Sequence, residues 1–204
     1  MVCTVLALVL NHVHADDPDL SSVGKVGSST KFNALSETFS LPATDGSVVS
    51  VGADSNVPYT VVCFLGAECP LANLYAPRLN RLATEFKNRG VRFVGINSNV
   101  QDSMPELVAY VKKHDLVSPM VKDYDRAAAL KFGAARTPEA FVVDDSGVIG
   151  YQGRIDDQYR PGLLRPKLER QDLRLAIEQL LSGERVAMPR TEATGCLISL
   201  PTDS

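Results

Sequence analysis

Thr60-Val61-Val62-Cys63-Phe64-Leu65-Gly66-Ala67-Glu68-Cys69-Pro70 is the stretch whose reading decides the fold. Its first half is a continuous apolar, β-branched run, the pattern of a strand buried on both faces. A small loop, Gly66-Ala67-Glu68, ends the run. Cys69 then stands where a helix should begin, with Pro70 just after it. Proline suits a first helical position because its missing N–H would have been unpaired there anyway. Helix N-termini carry free N–H groups and partial positive charge, and so favour thiolate over thiol. Cys69 therefore reads as a placed nucleophile with a pKa below the ordinary thiol value of about 8.5. The plainer alternative is a small core residue.

Downstream, Leu71, Leu74, Tyr75, Leu79, Leu82 and Phe86 predict one apolar stripe on a helix from Pro70 to Arg89. Pro77 lies inside this helix and should kink it, and Gly90 closes it. Val91 to Asn97 is the next buried strand. Ser103-Met-Pro-Glu106 predicts a capping box opening a helix to about His114. Pro119 to Lys122 reads as a short strand, Tyr124 to Phe132 as a short helix ended by Gly133, and Ala140 to Val143 as a strand. Asp144 to Gly147 turns into a partner strand, Val148 to Arg154. Residues 156–170 read as a polar loop and Arg170 to Leu181 as a final amphipathic helix. Upstream, Phe39 to Val51 predicts a hairpin turning at Asp45-Gly46. Alternating β-α-β units imply parallel strands, and the late hairpin adds antiparallel ones. The expected fold is α/β: a three-layer sandwich with a mixed central sheet, helices on both faces and an N-terminal β-hairpin.

The chain has 204 residues, enough for one domain with extensions. A formal net charge of −3 with no basic block argues against nucleic acid or an anionic membrane as the main partner. Met1 to Leu10 is nearly all apolar and Val13-His14-Ala15 is a small-x-Ala site. That run is too short to span a bilayer but suits a signal-peptide core, although a basic n-region is missing. The expected organisation is a signal peptide over 1–15, a linker over 16–32, the α/β domain over 33–182 and a tail over 183–204 carrying Cys196. The expected location is exported, periplasmic or extracytoplasmic. Removing residues 1–15 leaves Cys63, Cys69 and Cys196, so at most one internal pair can form.

These residues resemble a thioredoxin-fold redoxin of the AhpC/TSA, peroxiredoxin-like type, over about residues 33 to 182. The resemblance rests on three features: the buried strand leading into Ala67-Glu68-Cys69-Pro70, the internal Pro77, and Thr137-Pro138 before the strand at Ala140. It implies a cis Thr137–Pro138 bond facing Cys69, and a catalytic set of Cys69, Thr137 and Pro138. The chain also departs from the pattern. The second cysteine of a thioredoxin motif would fall at Ala72. The proline and threonine of a peroxiredoxin site would fall at Val62 and Gly66, and its arginine near Pro138, with Arg136 or Arg154 as the only nearby substitutes.

A thiolate attacks a disulfide sulfur or a peroxide, and both reactions need a second thiol to finish. Cys63 reads as a core thiol inside the strand. Cys196, in Thr194-Gly195-Cys196-Leu197-Ile198, is the candidate resolving cysteine, carried to Cys69 by the tail. The first function reading is thiol–disulfide exchange through Cys69 with a protein or small-thiol partner. The alternatives are a thiol-dependent peroxidase with an antioxidant role and a redox-inactive binding domain. Soft-metal sites want several thiolate or imidazole ligands, and His114 is the only histidine beyond the leader. The reading therefore calls for no metal and no cofactor. Two polar segments, Asn97 to Asp102 and Gly153 to Tyr159, are expected to border the cleft.

Overall fold

Tyr59–Phe64 (β3) lies at the centre of a five-stranded sheet, as its unbroken apolar run requires. In a computed structural model of the chain, residues 38–52, 56–160, 163–164 and 167–199 are described. The expected signal peptide and linker, residues 1–32, lie outside them. β3 pairs in parallel with Val91–Asn97 (β4), which pairs in parallel with Met120–Lys122 (β5). On its other side β3 pairs antiparallel with Glu139–Asp144 (β7), followed by Ile149–Gly153 (β8). The sheet order is therefore β5-β4-β3-β7-β8. This is the mixed sheet expected from two βαβ crossovers and a late hairpin. The first hairpin, Phe39–Pro42 (β1) with Val48–Val51 (β2), forms as read. At its turn, Gly46 takes a left-handed φ of 86° and the Asp45 carboxylate accepts from Ser47 N–H at 2.9 Å.

Side chains alternate to the two faces of the sheet. On one face Val61, Cys63, Phe93 and Val142 pack against Pro70–Lys87 (α1), Met104–His114 (α2) and Asp172–Leu181 (α4). On the other, Val62, Phe64, Ile96 and Phe141 meet Ala127–Phe132 (α3) and the β1–β2 hairpin. Phe64 stands edge-to-face with Phe132 and Phe141, both with ring centroids 5.6 Å away. The capping box forms: the Ser103 N–H and hydroxyl both donate to the Glu106 carboxylate, at 2.6 and 2.7 Å.

α1 runs unbroken through Pro77 and stops two residues short of the expected end. Its buried face is rotated relative to the predicted stripe. Leu74 is 52% exposed and Leu71 only half-buried, while Ala72, Ala76 and Ala83 face the core. Small side chains allow the helix to lie close to the sheet, so the alanines take positions that a leucine stripe would claim. Two further differences concern very short strands. The loop 156–170 contains a pairing of Tyr159–Arg160 (β9) with Leu163–Leu164 (β10). Arg136–Thr137 (β6) pairs antiparallel with Cys196–Leu197 (β11) in a separate two-stranded sheet, which brings Cys196 beside Thr137.

Candidate functional site

Cys69 is the N-cap of α1, in extended conformation (φ −72°, ψ 116°), with Pro70 in the first turn. Its carbonyl accepts from Asn73 N–H at 3.0 Å, starting the helix. The Asn73 side chain locks the approach: its Nδ2 donates to the Ala67 and Cys69 carbonyls at 3.0 and 2.8 Å. Its Oδ1 meets His114 Nε2 at 2.7 Å and Lys113 Nζ at 3.0 Å. His114 is therefore engaged with the helix shoulder and not with the thiol.

The Thr137–Pro138 peptide is cis and faces Cys69, whose thiol donates to the Thr137 carbonyl at 2.9 Å. Cys69 is only 3% exposed. Cys196 stands directly opposite Thr137 in the β6–β11 pairing and is exposed. Both cysteines are free thiols, as is Cys63. Burial opposes ionisation of Cys69, yet the Thr137 hydroxyl, the Ala72 N–H, and the N–H and thiol of Cys196 outweigh it and hold the thiol below its ordinary value. The Thr137 hydroxyl is buried without another partner, which leaves the sulfur as its natural one. Cys196 moves the other way, pushed up to about 11 by burial and by its hydrogen bond with Cys69. Cys63 sits inside β3, where burial pushes its thiol up to about 12, so it is a core thiol as read.

These shifts have a measurable sign. The folded pKa of Cys69 lies below the unfolded one. Its thiolate therefore stabilises the reduced fold above about pH 8.5, and that contribution fades as pH falls through the folded value. Thiolate absorbance, titrated as wild type minus Cys69→Ser, should have a midpoint below about 8.5. Cys196→Ala should move the midpoint up, because a side-chain donor to the sulfur is lost. A wild-type midpoint above the free-thiol reference contradicts the arrangement.

The tail that carries Cys196 is held at several points. Gln152 N–H donates to the Pro189 carbonyl at 2.9 Å and Thr191 N–H to the Gln152 carbonyl at 3.0 Å. The Thr191 hydroxyl meets the Tyr151 hydroxyl at 2.7 Å. Arg136 Nη1 donates to the Gly195 carbonyl at 3.0 Å, Ile198 N–H donates to the Ala135 carbonyl at 2.9 Å, and the Ile198 side chain is buried. Placement of the thiol therefore needs no swinging tail.

Asn97 to Asp102 borders the site from the other side. Asp102 Oδ2 accepts from the Ala67 N–H at 3.0 Å, and from Asn97 and Asn99 Nδ2. Buried Lys122 donates to Asn97 Oδ1 and to the carbonyls of Asn99 and Asp102. Burial pulls this ammonium below its ordinary value, against the pull of Asp102, Asp123 and Glu106. Residue-type patterns missed this knot, because Asn, Asp and Lys read as solvated wherever they stand. The signal available was position, at the carboxyl end of a parallel strand.

The gap at the peroxiredoxin threonine position has a steric cause. A Cβ on Gly66 would come within 2.5 Å of Asn99 Nδ2, 3.1 Å of Thr137 Oγ1 and 3.2 Å of Cys69 Cβ. The two candidate arginines are engaged elsewhere: Arg136 with the Gly195 carbonyl, Arg154 with Asp172 at 2.7 Å. In the second polar segment, Asp156 accepts from Arg78 and from the Tyr75 hydroxyl, and Arg78 also reaches Gln158, bracing α1. Among the described residues no three His, Cys, Asp or Glu side chains are placed to hold a metal ion. Among them, too, no helix is long and apolar enough to cross a membrane.

Comparison with known proteins places the fold among redoxins. The chain is similar to the thiol:disulfide interchange proteins DsbE of Allochromatium vinosum (31% identical over 105 residues, 50% of this chain and 55% of that one) and Haemophilus influenzae (32% over 103 residues, 48% and 52%). It thus spans about half the length of the curated relatives it matches. Among solved structures, it resembles a hypothetical protein of Sinorhizobium meliloti 1021 with a TM-score of 0.76 at 28% identity, covering 85% of this chain and 96% of that one. The profile of the AhpC/TSA family matches residues 34–152, more than half of the chain. With that match, and with the thioredoxin-like sheet carrying a helix-capping cysteine, the chain belongs to the AhpC/TSA family of thioredoxin-fold redoxins.

Proposed function

We propose that the protein is an exported thiol–disulfide oxidoreductase that cycles Cys69 and Cys196 between dithiol and disulfide. The observation that carries this reading is that Cys196 pairs with Thr137, whose carbonyl accepts the Cys69 thiol, so that one residue holds both cysteines together. Cys69 supplies the sulfur whose thiolate is favoured by its surroundings, and Cys196 supplies the second sulfur that the motif position Ala72 lacks. In the oxidised protein the pair holds one S–S bond. A dithiol partner delivers two electrons and two protons, leaves as a disulfide, and returns both cysteines to thiols. The Cys69–Pro138 face forms the floor of the exchange site. The DsbE relatives, named for disulfide interchange, support the same reaction class. An oxidising compartment outside the cytoplasm fits a protein whose function requires a disulfide, and it fits the leader-like residues 1–15.

The peroxidase alternative draws no support from the site. Gly66 leaves no threonine hydroxyl for a peroxide, and neither candidate arginine turns toward the sulfur.

The test is mass mapping of non-reduced peptides from the oxidised chain, together with turnover of a dithiol peptide. The expected result is a Cys69–Cys196 link and catalysed peptide oxidation. Free thiols at both positions in a fully oxidised sample overturn the pairing. A linked protein that oxidises no dithiol overturns the oxidoreductase reading and leaves a binding domain with a structural disulfide.

A further inference from the structure

Thiol exchange on a disulfide is directional: the attacking thiolate approaches along the S–S axis from beyond the sulfur it strikes, and the other sulfur departs. The two sulfurs of this pair are not equivalent as targets. Cys69 is 3% exposed and packed in the core cluster beside Ala72 and Tyr75, with the Thr137 carbonyl against its thiol. The edge of β6 at Thr137 is already occupied by β11, so an incoming peptide finds no free strand edge beside Cys69. Cys196 is on the outer strand and exposed.

From this geometry we infer that Cys196, and not Cys69, is the sulfur at which the exchange partner enters, so that the mixed disulfide forms on the tail while the helix-capping cysteine departs. This rests on the disulfide cycle proposed above and specifies its order. A thiolate of the dithiol partner attacks Cys196 Sγ; a partner S–Cys196 bond forms, the Cys69–Cys196 bond breaks, and Cys69 takes the electron pair as a thiolate. The partner's second thiolate then attacks the partner's own sulfur in that mixed disulfide. The partner's internal disulfide forms and Cys196 leaves. Cys196 takes up one of the two protons released by the partner; the second goes to Cys69 or to solvent according to pH.

Electronic and steric preference agree. The better leaving group is the thiol of lower pKa, and the hydrogen bonds around Cys69 lower its value while Cys196 is raised. Attack at Cys196 expels the stabilised thiolate into its ready-made donors, the Ala72 N–H and the Thr137 hydroxyl. Attack at Cys69 would expel the poorer leaving group. The short tail from Gly195 to Ile198 thus presents the reactive sulfur and occupies the edge at which a partner strand would otherwise dock. It acts as a resident substrate of its own catalytic thiol.

The experiment uses the oxidised full chain and glutathione below stoichiometry, quenched rapidly with acid, alkylated and mapped by peptide mass. Mapping before glutathione is added establishes the Cys69–Cys196 link. The expected adduct lies on Cys196 with Cys69 alkylated, in about tenfold excess over the converse, from leaving-group and access differences together. An adduct chiefly on Cys69 with Cys196 alkylated overturns this inference and leaves the disulfide cycle standing. A chain that shows no Cys69–Cys196 link before glutathione is added overturns both.

Discussion

Cys69→Ser is expected to lower the rate of dithiol-peptide oxidation by about three orders of magnitude, to near the uncatalysed background. A hydroxyl in the N-cap position keeps the fold, since serine caps helices well. It cannot form the S–S bond that stores the oxidising equivalents, and it offers no stabilised leaving thiolate. The variant still carries Cys196, exposed on β11. That thiol should accept glutathione from glutathione disulfide in a single turnover and then stall, with no partner to release it. The assay follows peptide disulfide by mass, with circular dichroism confirming the native fold. Retention of more than about a tenth of wild-type turnover in a folded variant would remove Cys69 from the chemistry.

Gly195→Ala should have the second largest effect, although it touches neither sulfur. Gly195 takes a φ of 149°, and a Cβ built there would lie 1.9 Å from the Thr137 carbonyl oxygen and 2.7 Å from its carbon. Both atoms are backbone, so neither can rotate away. The variant must open the β6–β11 pairing, carrying Cys196 away from Cys69. Two groups held in reacting geometry gain many orders of effective molarity over groups free to diffuse. Loosening the tail should therefore slow formation of the internal disulfide by about a hundredfold or more, while the five-stranded sheet and its melting transition change little. Rates of disulfide formation after addition of glutathione disulfide measure this directly. An unchanged rate would mean that the tail reaches the thiol without its pairing to β6.

How much of this was legible in the sequence depends on the length of the signal. The run Thr60 to Leu65, the strand Val91 to Asn97, the Asp45-Gly46 turn and the Ser103–Glu106 box each carry several agreeing residues, and all four formed where they were read. The helix cap at Cys69 was legible because Pro70 marks a helix start. The thiol of Cys196 was singled out by counting cysteines. Its strand was not foreseen, because two residues carry no periodicity and β6–β11 is a long-range pairing between residues 136–137 and 196–197. The same holds for β9 and β10. The Asn97, Asp102 and Lys122 knot escaped for a different reason. Composition places such residues in water, and only the fold shows that the Asn97 amide, Asp102 Oδ2 and the Lys122 ammonium find partners indoors. The rotation of the α1 stripe toward alanines was hidden by the habit of reading large apolar residues as the buried ones.

The pairing of β11 with β6 has a consequence for the thermodynamics of the whole chain. The disulfide proposed here closes a ring from residue 69 to residue 196, taking in most of the sheet. Rings of roughly a hundred residues constrain the unfolded chain by about 4–5 kcal/mol in the loop-entropy description. By a thermodynamic cycle, whatever the disulfide adds to folding stability, the fold returns as a preference for the oxidised pair. The thiolate network at Cys69 pulls in the opposite direction, favouring the reduced pair. The midpoint potential of this protein is therefore a balance between a local electrostatic effect and a global chain-entropy effect. A change that weakens the oxidised and reduced folds equally, as in the sheet centre around Phe64, cancels from this balance, whereas one that acts on the β6–β11 pairing alters how readily the protein gives up its oxidising equivalents.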